Sequence, residues 1–380
     1  MSYRYANAMI KPGLNTLTAP TPTYTYNLLA WGSGFHGQLG LGNTAYYSSP
    51  VQVGTLTNWK IISPSSGSSW VMSIKTDNTL WSWGYNGFGQ LGLGNTTNYS
   101  SPVQVGALTN WLTISSGYGH VLATKTDGTL WSWGLNQYGQ LGLGNITYRS
   151  SPVQVGLLTN WLTISAGYLI SAAIKTDGTL WTWGGNNVGQ LGLGNKTNYS
   201  SPKQVGALTN WSKIFAAGYA NSFVLAIKTD GTLWSWGINT AGQLGLGNTT
   251  YYSSPKQVGA LTNWSVPNTG FNFSVCIKTD GTMWSWGKNN NYGQLGLNNL
   301  SYYSSPKQVG ALTTWLNASS GQYHTLATKT DGTIWTWSRN NNGQLGLGNT
   351  TNYSSPKQVG ILTNWSKAAA GLTSSFALAY

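Results

Sequence analysis

Apolar and polar residues alternate along this chain in short runs, and the runs return on a fixed period. The unit that begins at Trp111 shows the pattern. Trp111 to Ser115 is a short apolar run, and a glycine-containing loop follows at 116–119. His120 to Lys125 alternates, and Asp127-Gly128 between strand-like runs is the strongest short hairpin signal. Thr129 to Gly134 alternates again, which places Trp131 and Trp133 on one face of a strand. A glycine-rich GQLGLG loop and the extended SPVQV close the unit. The pattern predicts four antiparallel strands per unit and no helix.

The string GQLGL occurs seven times, starting at Gly37, Gly89, Gly139, Gly189, Gly242, Gly293 and Gly343. Four-stranded units on a period of about fifty residues predict an all-β, seven-bladed β-propeller. The first and last repeats are incomplete in complementary ways. The first begins at NLLAWG (27–32) without the Trp-led strand or the KTDGT hairpin. The last ends at SSFALAY (374–380) after supplying the strands the first lacks, with Tyr380 aligned to the repeat lysine. One blade is therefore expected to take its inner part from one end of the chain and its outer part from the other, which leaves no open sheet array. Residues 1–26 form an arm and 27–380 the propeller.

Composition sharpens this picture. Only 7% of residues are charged, and the net charge is +13. There is no Glu. All six acids are Asp, at 77, 127, 177, 230, 280 and 331, each in the same turn of its repeat. The lysines are spaced in the same way, at 75, 125, 175, 228, 278 and 329 before that turn and at 203, 256, 307 and 357 in SPKQVG. Such spacing reads as a solvated rim, or as a ring that attracts an anionic partner. Nucleic acid is not the expected partner, because nucleic-acid binders gather their charge on one face. Cys276 is the only cysteine, so no intrachain disulfide is possible. No run reaches membrane-spanning length, and membrane insertion is not expected.

The tryptophans belong to the repeat. Of 21, all but Trp70 fall in the W-[ST]-W strands, in TNW or TTW, or at the matching Trp31. One large ring per blade fills the wedge between neighbours. The glycines of GQLGLG supply positive φ and close backbone approach at the handover between blades. A phosphate-cradling role would need a following helix and a Lys-Ser/Thr pair, and both are missing.

GQLGLG, W-[ST]-WG-x-N, KTDGT, AGY and SGYGH, recurring in order over 27–380, resemble the regulator of chromosome condensation repeat family. The resemblance implies a seven-bladed propeller. It leaves function open, since members act in nucleotide exchange, chromatin binding, enzyme inhibition and protein docking. Exchange factors of the family use a wedge insertion and acidic surface residues. Here the repeats differ in length by at most three residues and the only acids are hairpin Asp, so that activity is not expected.

Two loops vary between repeats, and recognition residues concentrate in loops on a rigid scaffold. The loop after the TNW strand carries Trp70, Tyr118, Tyr168, Tyr219, Phe223, Phe271 and Tyr323. The loop before GQLG carries Phe35, Phe88, Tyr138, Lys288, Tyr292 and Arg339. These rings either face a partner or cap the blade cores. A third ring, Tyr47, Tyr99, Tyr199, Tyr252, Tyr303 and Tyr353, reads as loop packing or as a rim surface. In the arm, Tyr3, Tyr5, Ile10 and Leu14 are candidate assembly contacts.

Catalysis is not expected. His120 and His324 share a slot that elsewhere holds Ile or Phe, and no paired carboxylates or Cys/His cluster exist. No cofactor and no metal are expected. The low charge, the absence of a signal peptide, the arm, and an opening MSYRYANAMIKPG similar to tailed-phage structural proteins together predict a non-enzymatic virion component. Its partners would be other structural proteins, reached through the arm or the loop face, or a host surface glycan. The alternatives are a cellular protein-interaction propeller and a glycan-binding adhesin.

Overall fold

The computed structural model describes residues 25–218 and 222–380. Strand β1 (Asn27–Gly32) and strand β2 (Tyr47–Gln52) are followed by a complete blade. It runs β3 (Trp59–Pro64), β4 (Trp70–Lys75), β5 (Leu80–Gly84) and β6 (Tyr99–Gln104). The same four-strand meander repeats to β28 (Ser374–Ala379), giving seven four-stranded antiparallel sheets. The expected fold is the observed one.

Each hairpin is built by its own side chains. Asp77 Oδ1 accepts from the Thr79 N–H at 3.0 Å and from the Thr79 hydroxyl at 2.6 Å. The Thr79 hydroxyl oxygen in turn accepts from the Trp81 indole N–H at 2.8 Å. Asp pins the turn by bonding the backbone two residues on, and the turn aims the first Trp of the pair. The ammonium of Lys75 then sits 3.4 Å from the centroid of Trp81 and 4.8 Å from that of Trp59. The same cage holds Lys125, Lys175, Lys228, Lys278 and Lys329.

The second Trp of each pair joins the blades. Trp133 is fully buried against Met72, Ile74, Leu80 and Leu91 of the preceding blade. Its indole N–H donates to the Gln90 carbonyl at 3.0 Å, in the GQLG loop of that blade. Replacing a core Trp by Ala costs about 3–5 kcal/mol, and this contact is made at every blade junction. Gly40 explains the glycine in that loop: its φ is +74°, and a Cβ there would stand 2.9 Å from the Trp83 indole nitrogen.

The closing blade has the order β2-β1-β28-β27, with β27 spanning Trp365–Ala370. The C-terminal end gives the two inner strands and the N-terminal end the two outer ones. The register corrects one expectation. Trp59 pairs with Lys75, and the equivalent Trp365 pairs with Ala379, so Ala379 and not Tyr380 occupies the lysine slot. With Leu29 opposite Gln52 where other blades carry the first Trp, this blade has no lysine cage.

The innermost strands of all seven blades line a central cavity of about 410 Å³, with Ile62, Ile114, Ile164, Phe215, Ala318 and Ala368 among its walls. Strand alternation fixes two faces. The connections from first to second and from third to fourth strand form a loop face. The KTDGT hairpins and the connectors between blades form the opposite face. Among the described residues, no helix is long and apolar enough to cross a membrane.

Candidate functional site on the loop face

The backbone of the loop before GQLG is held from inside. Asn86 Oδ1 accepts from the Leu91 N–H at 2.9 Å, and its amide donates to the Asn95 carbonyl at 3.0 Å. Gln90 Oε1 accepts from the Phe88 N–H at 2.8 Å. The same Gln contact fixes His36, Tyr138, Val188, Ala241 and Asn342. The Asn and Gln side chains are therefore spent on loop shape. The variable side chains are carried outward on a fixed frame.

On that frame the two variable loop sets meet. Phe35, 63% exposed, packs edge-on against His36 at 4.8 Å, and His36 lies 5.2 Å from Tyr85. Tyr85 meets Phe88 at 6.0 Å, Phe88 meets Tyr118 at 6.1 Å, and Tyr118 meets Tyr168 at 4.7 Å. These rings form one run across the closing blade and the three that follow it. Tyr85 and His36 belong to it although neither stood out in the sequence. The alternation of rings at i and i+3 in YNGF was the available signal. Burial lowers the His36 imidazole below its ordinary value, so the ring is neutral at pH 7. Tyr138 is half-buried in the same loop layer.

A second cluster lies at the boundary of the fifth complete blade (β19–β22, Trp264–Gln308) and the sixth (β23–β26, Trp315–Gln358). Phe271 meets Tyr323 at 5.4 Å and Tyr292 meets Tyr323 at 5.5 Å. The Arg339 guanidinium lies 5.3 Å from the Tyr292 centroid and 5.6 Å from that of Tyr323, and Lys288 stands 5.2 Å over Phe271.

Two candidates leave the surface. Trp70 is 1% exposed, opens strand β4, and packs in the core between blades with its indole N–H on the Tyr118 carbonyl at 3.0 Å. Phe223 is fully buried in the same slot of another blade. Both begin a strand instead of ending a loop, so their side chains point into the wedge and not toward a partner. Tyr219, and Tyr3, Tyr5, Ile10 and Leu14 of the arm, lie outside the described residues. The third ring is tied to its loop, since each tyrosine oxygen accepts from an Asn four residues earlier, as Tyr47 does from Asn43 at 3.2 Å.

The buried histidines and the cysteine are internal. His120 and His324 are completely buried. Their Nε2 atoms lie 2.9 Å from Ser171 Oγ and Ser375 Oγ, and those hydroxyls donate to the Gln140 and Gln344 carbonyls at 2.7 Å. With each serine proton committed to a carbonyl, the imidazole must donate from Nε2. Burial pushes the Cys276 thiol well above its ordinary value, leaving it unreactive. Among the described residues, no three of His, Cys, Asp and Glu come together to hold a metal ion.

Geometry and repeat together define a closed seven-bladed repeat propeller whose variable chemistry lies on one face. The chain belongs to the RCC1-like domain family: that family model matches residues 21–268, and the regulator of chromosome condensation (RCC1) repeat matches 280–328 and 331–378. Human probable E3 ubiquitin-protein ligase HERC6 is 40% identical over 83 residues, which is 21% of this chain and 8% of that protein. The ultraviolet-B receptor UVR8 of Arabidopsis thaliana is 34% identical over 80 residues, 21% of this chain and 18% of that one. The matches thus span less than a fifth of those relatives. Yeast RCC1 (Prp20), solved with Kap60, superposes with a TM-score of 0.82 at 18% identity over 100% of this chain and 96% of the other. Human WBSCR16 gives 0.81 at 21% identity over 93% and 98%. At these identities the structures speak for the fold alone. The named relatives are from human, plant and yeast, and they lend the virion expectation no support.

Proposed function

We propose that this chain is a non-catalytic docking propeller of the cell and that it holds a protein partner on the loop face. One observation carries the reading: the loops that vary between otherwise uniform repeats converge into a continuous run of rings from Phe35 to Tyr168. The scaffold residues are occupied in closing the ring, so the chain's individuality is concentrated on that surface. Aromatic rings on a rigid frame are favoured anchors for a protein surface. Solved relatives of this fold are described as bound to Kap60 and as binding Gsp1p and histones, which is said of those proteins.

The test is quantitative affinity capture with the wild type and a Phe35→Ala/Tyr118→Ala/Tyr168→Ala variant, both verified as folded by thermal melting. Proteins bound by the wild type and lost from the variant support the reading. Capture that is unchanged in the variant removes it. A glycan array in which the wild type binds a sugar and no protein is captured would favour the adhesin alternative. Recovery of the chain from purified particles would favour the virion.

A further inference from the structure

The repeat is broken in two places, and the two breaks meet. In the fifth complete blade the loop before GQLG runs 288–292 and is one residue longer than in most blades. Its Gln294 no longer makes the contact that fixes the other loops: both side-chain polar atoms are buried without a hydrogen-bond partner. Across the boundary, Ser338 stands where the other blades carry glycine. Its φ is +88°, a region that costs a non-glycine residue energy, and its hydroxyl is buried and unpaired.

What these departures bring together is a pair of cations on an aromatic floor. Tyr292, in the slot before GQLG, lies beside Tyr323, and Arg339, directly after the strained Ser338, stacks over both rings. Lys288 is held over Phe271 in the same loop. Arg339 Nε is buried and donates to nothing. Backbone strain and unmet hydrogen-bonding capacity coincide here, a combination that functional sites retain.

The distribution of charge identifies the ligand. Every acid in the chain is a hairpin Asp, and each is turned onto its own threonine on the opposite face. No carboxylate of this chain therefore stands on the loop face to neutralise Arg339 and Lys288. The rim is biased the same way. The outer strands of the third to sixth complete blades carry the exposed lysines 203, 256, 307 and 357, while Val51, Val103 and Val153 hold that position elsewhere. A guanidinium presents donors matched to a carboxylate.

We propose that the cluster formed by Lys288, Tyr292, Tyr323 and Arg339 binds a carboxylate of an acidic segment in a protein partner. The proposal rests on the loop face being a docking surface and names the chemistry of one part of it. Two cations fit a short acidic segment better than a nucleic-acid strand, whose affinity is built from many phosphate contacts. The ring faces here are also covered by cations instead of being open to stack bases.

The experiment measures binding of a fluorescent poly-glutamate peptide by anisotropy, with poly-glutamine and a single-stranded oligonucleotide of matched charge as the other arms. Wild type is expected to bind poly-glutamate, more weakly as salt rises, and not poly-glutamine. Arg339→Gln and Lys288→Gln should each weaken binding by about tenfold, the loss typical of one charge-assisted contact. Leu157→Ala, at an exposed residue of a connector between blades on the opposite face, should leave it unchanged. Lys288→Gln removes a partly exposed side chain, so it keeps the test decisive if Arg339→Gln is unstable. Failure of poly-glutamate to bind, binding by both glutamine variants as tight as by wild type, or tighter oligonucleotide binding through the same residues overturns the proposal. Loss of captured proteins from the Phe35/Tyr118/Tyr168 variant alone would then still support the docking face, so the two failures are distinguishable.

Discussion

Tyr26 and Tyr380, almost the full length of the chain apart, meet edge to face with ring centroids 6.2 Å apart. They stand where the other blades have the KTDGT hairpin, KTDNT in the first complete blade. Tyr26 also bridges to Asn58, and the Tyr380 carbonyl accepts from the Asn364 amide. A side-chain contact thus replaces a covalent turn at the one blade that needs two chain ends.

That replacement is measurable. A T-shaped aromatic pair contributes about 0.5–1.5 kcal/mol beyond its buried area. Tyr26→Ala and Tyr380→Ala should each lower stability, and the double variant should lose less than their sum by about that amount. Phe376→Ala, in the fully buried centre of β28, should cost about 3–5 kcal/mol. Urea unfolding of the four variants checks this. Additive losses from the two tyrosines would mean that the rings do not help close the ring of blades.

The lysine cage gives a second prediction. Lys75 is 4% exposed although it carries a full charge, and burial lowers its pKa while Asp77 opposes that shift. The rings of Trp59 and Trp81 stand in for water around the ammonium. Lys75→Met keeps the apolar stem and removes the charge, and should cost about 1–2 kcal/mol, the value of a desolvated cation–π contact. Lys203→Met should cost less, because that ammonium is exposed on the rim and 5.5 Å from Tyr199. Chemical denaturation compares them, and equal losses would assign the caged lysine no special role.

The sequence carried the fold because the complete blades repeat a self-contained local code: an Asp-led turn, a Trp pair and a glycine-rich handover. It misplaced the last strand by one residue because SSFALAY has neither lysine nor Asp-Gly to set the register. The candidate site was legible only in part. Trp70 and Phe223 lie one residue from a loop, and the difference between loop end and strand start reverses where a side chain points. The union of the two loop sets into one surface follows from the meander, which brings residues about thirty to fifty positions apart into contact. The cation pair of Lys288 and Arg339 was visible as composition, but the inserted residue and Ser338 acquire meaning only when they are found side by side.

Acid sensitivity should come from two histidines. Burial pushes His120 and His324 down to about 3 from an ordinary value of 6.5. In the folded chain they stay neutral across the interval where the unfolded chain takes up protons. Their contribution is therefore complete above about pH 6.5 and is lost as pH falls toward 3, at about 1.4 kcal/mol per pH unit for each imidazole. The hairpin aspartates lie below their ordinary 3.8, and their contribution begins to fall only under that value. Between pH 4 and 6 the histidines should dominate. His120→Phe/His324→Phe borrows the residue found in the same slot at Phe223 and Phe273, and should flatten the pH dependence of unfolding in that window. An unchanged slope would mean that other groups set it.

Ser338 should be a site where stability is given up. The corresponding Gly84 and Gly287 have φ of +100°, and a Cβ at either would lie 2.5 Å from a backbone carbonyl oxygen across the sheet. Ser338 accepts the same left-handed backbone at +88°, with a buried hydroxyl that bonds to nothing. Ser338→Gly removes the Cβ crowding and the unpaired oxygen together. It should stabilise the protein by about 1–2 kcal/mol, against the usual cost of adding a glycine. The reverse change, Gly84→Ser, recreates the strain away from the Lys288–Arg339 cluster and should destabilise by a similar amount or more. Paired urea titrations decide it. If Ser338→Gly lowers stability, the serine is a contributor to the blade. If it raises stability, the sixth complete blade retains a costly residue immediately before Arg339, at the point where the repeat gives way to a cluster of cations on aromatic rings.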